Sequence, residues 1–372
     1  MNAQARMGTI STMHALDSWT SRRQLLCTTL TLPFWPLSSR AAAHSELQFP
    51  RDLGSHPDYA IEWWYITGRL LARQREFGFQ LTFFRSRVPA TQNMTSAFAA
   101  KQLVFAHAAV TDVAGKKLWH DQRIAREGFE IAQASQSDTD LKLRDWSLRR
   151  AGSLYQAKAV ARDFSFELVL NETQAILLQG DRGLSRKGPQ PEQSSYYYSL
   201  PQLQVSGTLG LGRETLPVQG TAWLDHEWSQ SLLDPLAVGW DWIGMNLLDG
   251  SALTAFQLRD KDRQAIWDGG SFRSRAMGAK AQVFARGEVQ FIPTRQWTSP
   301  LTKASYPVEW LVQTPLGRYR VKALVDDQEL DSRASTGAVY WEGLSELFDS
   351  AGHLVGRGYL EMTGYASAML FY

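Results

Sequence analysis

The sequence predicts an all-β protein built from two tandem closed antiparallel barrels. Three observations carry that prediction. Apolar residues alternate or come in short runs between turn residues, no long amphipathic helix is evident, and each half of the chain holds one aromatic-rich, acid-bearing motif. Many short strands need closure to remove exposed edges, and an eight-stranded barrel holds one small ligand.

The chain has 372 residues, enough for two domains of ordinary size. A hydrophobic fraction of 44% and a charged fraction of 20% exclude disorder and a coiled coil. Lys and Arg total 39 against 37 Asp and Glu, with no basic block to track phosphates, so no nucleic-acid partner is expected.

Residues 1–43 read as an export signal. Arg22-Arg23 precede an apolar stretch that reaches Leu37, and Ala41-Ala42-Ala43 supply small residues for cleavage before His44. The stretch is interrupted by Pro33 and Pro36 and falls short of a membrane span. This twin-arginine pattern predicts a periplasmic or secreted protein of bacterial type. The single cysteine, Cys27, lies inside the signal, so disulfides and thiol chemistry are not expected in the mature chain.

Strands are expected over 77–84, 101–113, 163–170, 195–205, 253–258, 308–324 and 358–365, with Pro315 and Gly317 turning a hairpin. The nearest approaches to helix are 122–134 and 340–349, the second as a short helix or a loop. Domains are expected over 44–212 and 213–372, the linker falling in the glycine-rich stretch 207–220. A weak echo supports duplication. Trp64-Tyr65-Ile66-Thr67-Gly68 and Trp240-Asp241-Trp242-Ile243-Gly244 are each followed by Phe-Gln-Leu. Chance likeness of two amphipathic strands explains the echo equally well.

The two motifs are HPDYAIEWWYITG at 56–68 and GTAWLDHEWSQS at 220–231. Burying acids and imidazoles beside indoles is unfavourable unless partners or a pocket repay it. On a strand, Asp225 and Glu227 face one side and His226 and Trp228 the other. A catalytic His226 and a structural one braced by a carboxylate are both compatible with this pattern. Glu62 beside Trp63, Trp64 and Tyr65 invites a carboxyl with raised proton affinity, suited to general-acid work. His107 reads as a satisfied core histidine, Tyr196 to Tyr198 as one inward ring flanked by outward ones, and the acidic run 326–331 as a solvated turn. No nucleophile elbow, P-loop, dinucleotide fingerprint or contiguous zinc motif occurs, so neither metal nor cofactor is expected.

The strings at 56–68, 220–231 and 239–260, with YPVEW, YWEG and GYLEMTGY, resemble the AttH-like family, related to the carotenoid 1,2-hydratase (hydroxyneurosporene synthase, CrtC) proteins. The resemblance runs from about His56 to Tyr365. It implies two lipocalin-like (calycin) barrels and, from the hydratase branch, addition of water to an isoprenoid double bond. In that branch an Asp, a His and a Trp two positions later form the proposed site, a pattern that falls on Asp225, His226 and Trp228. The branch's downstream Tyr-x-Asp has no clear counterpart here, and Asp241 is the nearest stand-in.

Hydrating an alkene needs a desolvated acid, aromatic faces to stabilise a carbocation and a positioned water. In the expected scheme Asp225 or Glu62 gives the proton and His226 orients the acid or the water. Trp64, Trp228 and Trp242 line the cation site, and Trp63, Tyr65 and Trp240 join the ligand surface. A hydrophobic small molecule, lipid or isoprenoid, is the expected partner. A non-catalytic envelope carrier and a hydrolase are the alternatives, and an envelope or transporter partner protein is left open.

Overall fold

Alternation in the sequence becomes a pleat with both faces covered along most central strands. The computed structural model describes residues 46–231 and 233–369, so the export-signal reading lies outside the described residues. The first sheet contains β1 (Ile61–Ala72), β2 (Arg75–Arg87), β3 (Gln102–Asp112), β4 (Lys117–Arg126) and β5 (Ala132–Ala134). It continues with β6 (Asp140–Leu143), β7 (Trp146–Ala151), β8 (Leu154–Val160), β9 (Phe164–Asn171), β10 (Leu177–Leu178) and β11 (Leu184–Arg186). It ends with the long hairpin of β12 (Ser194–Leu211) and β13 (Glu214–Ser229).

The second sheet contains β14 (Gly239–Leu247), β15 (Ala252–Arg259), β16 (Ala265–Arg273), β17 (Gln282–Phe284) and β18 (Gln290–Thr298). After it come β19 (Ser305–Thr314), β20 (Gly317–Ala323), β21 (Glu329–Ser332), β22 (Ala338–Phe348) and β23 (Leu354–Met362). Among the described residues helix is confined to two three-residue 3-10 turns, Arg51–Leu53 and Pro89–Thr91.

Both sheets share one strand order. The spatial order β4-β3-β2-β1-β13-β12-β9-β8-β7-β6-β5 pairs the first strand with the last, and so does β17-β16-β15-β14-β23-β22-β20-β19-β18. In the first sheet the edge strands β4 and β5 are consecutive in the chain and meet through the Gly128–Ala132 bridge, which nearly closes the barrel. This is the all-β, lipocalin-like double-barrel architecture that the sequence predicts. Closure needs close crossings. At Gly207 the backbone takes φ 148°, and a Cβ there would lie 2.1 Å from the Glu167 carbonyl oxygen, so only glycine lets β12 pass β9.

Each barrel fills its own interior. Trp64, Ile66, Phe79, Leu81, Phe83, Phe166, Leu168 and Leu224 pack inside the first. Ile243, Met245, Val308, Trp310, Trp341 and Leu360 pack inside the second. Each such side chain contributes roughly 1.5–3 kcal/mol through burial. A further aromatic layer, with Tyr65, Trp223, Trp242, Phe256 and Tyr359, fills the seam where the outer faces of the two sheets meet. The described residues form one compact unit.

Several expectations need correction. The boundary at 212/213 falls in the turn of the β12–β13 hairpin, whose strands pair along their whole length within the first sheet. The changeover between sheets lies instead between Ser229 and Gly239. Segments 122–134 and 340–349, taken as near-helical, are strand and turn, because pairing to β3 and to β23 overrides local propensity. The acidic run 326–331 is not a solvated turn. Glu329 is buried and accepts hydrogen bonds from the Ser299, Thr302 and Tyr306 hydroxyls.

Candidate functional site

The two motifs lie side by side, because β1 pairs with β13. Directly opposed residues are Glu62 with Trp228, Trp63 with Glu227, Trp64 with His226, and Tyr65 with Asp225. Opposed residues in an antiparallel pair project to the same face. The even-numbered members therefore enter the first barrel and the odd-numbered members face the seam. The pleat splits each motif in two.

Inside the first barrel, Glu62 is fully buried and accepts hydrogen bonds from four donors. His56 Nδ1 donates to Oε1 at 2.7 Å and His226 Nε2 to the same oxygen at 2.9 Å. Arg85 Nε donates to Oε2 at 2.8 Å and the His56 backbone N–H at 2.9 Å. A carboxylate only accepts, so both imidazoles present N–H to it. His226 Nδ1 then accepts from the Tyr198 hydroxyl at 2.9 Å. Indoles fix both rings, Trp228 stacking on His56 at 3.7 Å and Trp64 on His226 at 4.4 Å.

The charges follow from this geometry. Burial would raise the Glu62 carboxyl, but hydrogen bonds and charge from His226 and His56 outweigh it and hold the group far below the usual carboxylate range. Burial pushes His226 down to about 4 against the pull of Glu62. His56 is moved the other way. Its burial is outweighed by hydrogen bonds to Asp52 and Glu62, which raise it. Glu62 is thus favoured as a carboxylate, the reverse of the raised proton affinity expected of a general acid.

The seam carries the opposite electrostatics. Asp225 is 3% exposed and accepts from Ser199 Oγ at 2.5 Å, Trp223 Nε1 at 2.6 Å and Tyr197 Oη at 2.7 Å. Burial nevertheless pushes it up to about 7. Glu361, across β23 from Trp242 on β14 and from Glu342 on β22, is raised to about 8 by burial despite a hydrogen bond from Trp240, with Asp225 and Glu227 adding to the rise. Burial and Glu361 raise Glu342 well above its ordinary value. Three carboxyls with raised proton affinity therefore lie between aromatic walls. Glu342 Oε2 and the Tyr65 hydroxyl beside it lack hydrogen-bond partners among the described residues. Lys187, also buried, pairs with Glu227 at 3.1 Å and lies over the Tyr197 and Phe256 rings.

The sequence-predicted residues thus fall into two groups. Glu62, Trp64, His226 and Trp228 meet inside the barrel. Trp63, Tyr65, Asp225, Trp240 and Trp242 meet at the seam, where the Trp242 indole N–H donates to Tyr197 Oη at 3.2 Å. His226 therefore does not orient Asp225, and Trp242 does not share a surface with Trp64 and Trp228. Asp241 joins neither group. It is buried and pairs with Arg259 at 2.7 Å in the second barrel. His107 is satisfied as expected, but its partners Tyr340 and Ser335 cross from the other sheet. Of the tyrosines, Tyr196 and Tyr198 turn into the first barrel and Tyr197 to the seam.

Sequence reasoning missed Arg85, Glu342 and Glu361. Each had a weak signal, an arginine ending an apolar alternation in FQLTFFR and acids inside YWEG and GYLEMTGY. It also left His56 out of the catalytic set and expected no metal ligands. Yet His56, Glu62 and His226 offer three ligand atoms within 4.8 Å of one another, assembled from positions that no contiguous motif could reveal.

A cavity of about 10 Å³ lies in the seam beside Trp223, Asn246 and Leu344, room for about one water. A groove of about 350 Å³ opens at the barrel mouth between the 95–99 loop and Glu127. Its wall includes Gln102, which accepts from Arg85 at 2.7 Å.

Comparison with known proteins adds three findings. Residues 40–365 match the AttH-like family. A crystal structure of a candidate AttH from Nitrosomonas europaea is 48% identical, with a TM-score of 0.80 over 86% of this chain and 98% of that one. Kievitone hydratase from Nectria haematococca superposes with a TM-score of 0.68 at 13% identity, over 87% of this chain and 94% of that one, a likeness of fold. Comparison with curated proteins gives no match.

Proposed function

The chain belongs to the AttH-like family, and from that premise we propose that it binds a hydrophobic small molecule, a lipid or isoprenoid, at the seam between its barrels and adds water to a carbon–carbon double bond. One observation carries the reading. Asp225 keeps a proton near neutral pH inside a wall of Trp223, Trp242 and Tyr65, the combination that alkene protonation requires.

In this scheme the Asp225 carboxyl delivers its proton to one alkene carbon. The aromatic faces stabilise the cation left on the other, water attacks that carbon, and the proton lost by the added water returns to the carboxylate. The sum is substrate plus water. Glu361, half-buried beside Trp240, is the route by which the acid exchanges protons with solvent. Trp63 and Trp240, also half-buried, mark the edge where an apolar ligand parts the sheets.

A carrier without chemistry is the second reading. The closed seam favours it, since a cavity of about 10 Å³ admits no substrate without movement. Native mass spectrometry of lipids retained by the purified protein, followed by incubation of an isoprenoid in heavy-oxygen water, separates the two. The hydratase reading expects a bound lipid and a product heavier by one labelled water, with Asp225→Asn retaining the ligand and abolishing the product. Retention without product leaves the carrier, and undiminished hydration by Asp225→Asn removes the acid assignment. We also propose envelope export on the strength of Arg22-Arg23 and Ala41-Ala42-Ala43. A mature N-terminus at His44 in the periplasmic fraction is the expected result.

A further inference from the structure

We propose that His56 Nδ1, His226 Nε2 and Glu62 Oε1 form a binding site for one divalent transition-metal ion of the zinc class inside the mouth of the first barrel. This site is separate from the seam and independent of the reading given to it. The donor set is two imidazole nitrogens and one carboxylate oxygen, the mixture that borderline ions such as zinc and cobalt take at about 2.0–2.2 Å.

Convergence is the first argument. Both imidazole nitrogens aim at the same carboxylate oxygen, at 2.7 and 2.9 Å, from three independent segments: the loop before β1, β1 itself and β13. An ion placed among them displaces the two shared protons: His56 gives up the one on Nδ1, and that of His226 moves to Nδ1, which then donates to the Tyr198 hydroxyl. The two nitrogen–oxygen pairs need to open by only about half an ångström to reach normal ligand spacing, while the two nitrogens, within 4.8 Å of each other, close around the ion.

The outer partners are the second argument. A metal-bound histidine almost always engages its other ring nitrogen with a carboxylate, carbonyl or similar group. Here His56 Nε2 lies 3.1 Å from Asp52 Oδ1, and His226 Nδ1 lies 2.9 Å from the Tyr198 hydroxyl. Arg85 holds the second oxygen of Glu62, leaving Oε1 for the ion. Stacking on Trp228 and Trp64 sets both ring planes, so little ordering remains for binding to impose.

Three protein ligands are one fewer than a closed structural site uses, so the ion keeps a position for water or a ligand atom. All three ligands are buried, and His56, 7% exposed, is the one nearest solvent, with Glu62 and His226 at 0%. Entry therefore runs past His56 and Asp52.

The test uses the full chain, stripped with chelator and loaded with zinc or cobalt(II). One ion per chain by elemental analysis, a raised Tm on loading and cobalt ligand-field bands in visible absorption are the expected results. His56→Ala, at the solvent edge where folding is least at risk, should abolish the bands. Asp52→Asn, which removes only an outer partner, should weaken affinity roughly 10–100-fold. Circular dichroism establishes that each variant is folded. A folded wild type that takes up no ion and shows no bands overturns the proposal. So does uptake unchanged by both substitutions, which places the ion elsewhere.

Discussion

Asp225 and His226 are consecutive on β13, yet Asp225 bonds Tyr197 at the seam while His226 bonds Glu62 inside the first barrel. The two side chains share no hydrogen bond and no network. Their environments differ as much as their directions. One is an acid whose proton affinity burial raises, the other an imidazole whose proton affinity burial lowers beside a carboxylate. Substitutions at the two positions should therefore be separable, with effects that add.

For Asp225 the consequence is a pH-dependent stability cost. Its folded value of about 7 lies above its ordinary value of 3.8, so between those limits the folded state holds more protons than the unfolded one. Stability is full below about pH 4 and falls as pH rises towards 7, by up to about 1.4 kcal/mol per unit from this group. Asp225→Asn should remove this part of the slope. Thermal melts of both proteins from pH 4 to 8 check it, and parallel slopes would refute the raised proton affinity.

Arg85 is the counter-charge for Glu62, and both are almost fully buried. Removing one member of such a pair strands the other, at a cost of roughly 3–5 kcal/mol. Arg85→Met should therefore destabilise strongly, and Glu62→Gln should too. The double substitution should cost clearly less than the sum, because it leaves neither charge alone. Urea unfolding of the four proteins gives the coupling, and simple additivity would contradict the pairing.

Much of this was legible in the sequence. Period-two alternation marked the long central strands, and the two motifs were visible because acids beside indoles are costly without a purpose. The pleat even gave the separation of Asp225 from His226. What it could not give was the partner strand. Nothing local says that Glu62 will sit opposite Trp228, or that His56, outside any strand, will fold back onto both. The repeat was read one residue out of phase for a related reason. Aligning the glycines pairs Trp64, inside its barrel, with Trp240, on the seam, whereas the topology relates β1 to β14 as first strands closing on last ones. The short strand β5 and the near-helical stretch 340–349 were obscure because their structure depends on long-range pairing.

Trp228 fills space and clamps His56. It is 2% exposed, and its ring lies 8° from parallel to the imidazole. Trp228→Ala should cost roughly 3–5 kcal/mol through the cavity it leaves. It should also free the His56 loop, giving faster amide exchange at residues 52–59 than in wild type. Unchanged exchange there, with the stability loss present, would mean that the stack does not hold the loop.

His107 opposes Asp225 in the pH response. It donates and accepts across the seam, with Tyr340 Oη 2.6 Å from Nδ1 and Ser335 Oγ 2.8 Å from Nε2. Burial, with His120 nearby, pushes it down to about 3 from an ordinary 6.5. In that window the unfolded chain binds the extra proton, so His107 contributes stability above about pH 6.5 that is lost as pH falls towards 3. Asp225 and Glu361 act in the reverse sense from about 4 up to about 7 and 8. The seam should therefore be most stable in mildly acidic solution, between the two sets of groups. His107→Gln keeps a side chain able to donate and accept and removes the acid limb, so its optimum should move to lower pH, while that of Asp225→Asn should move higher. Tm measured against pH for the three proteins decides it, and an optimum that neither substitution moves would show that other groups set the response.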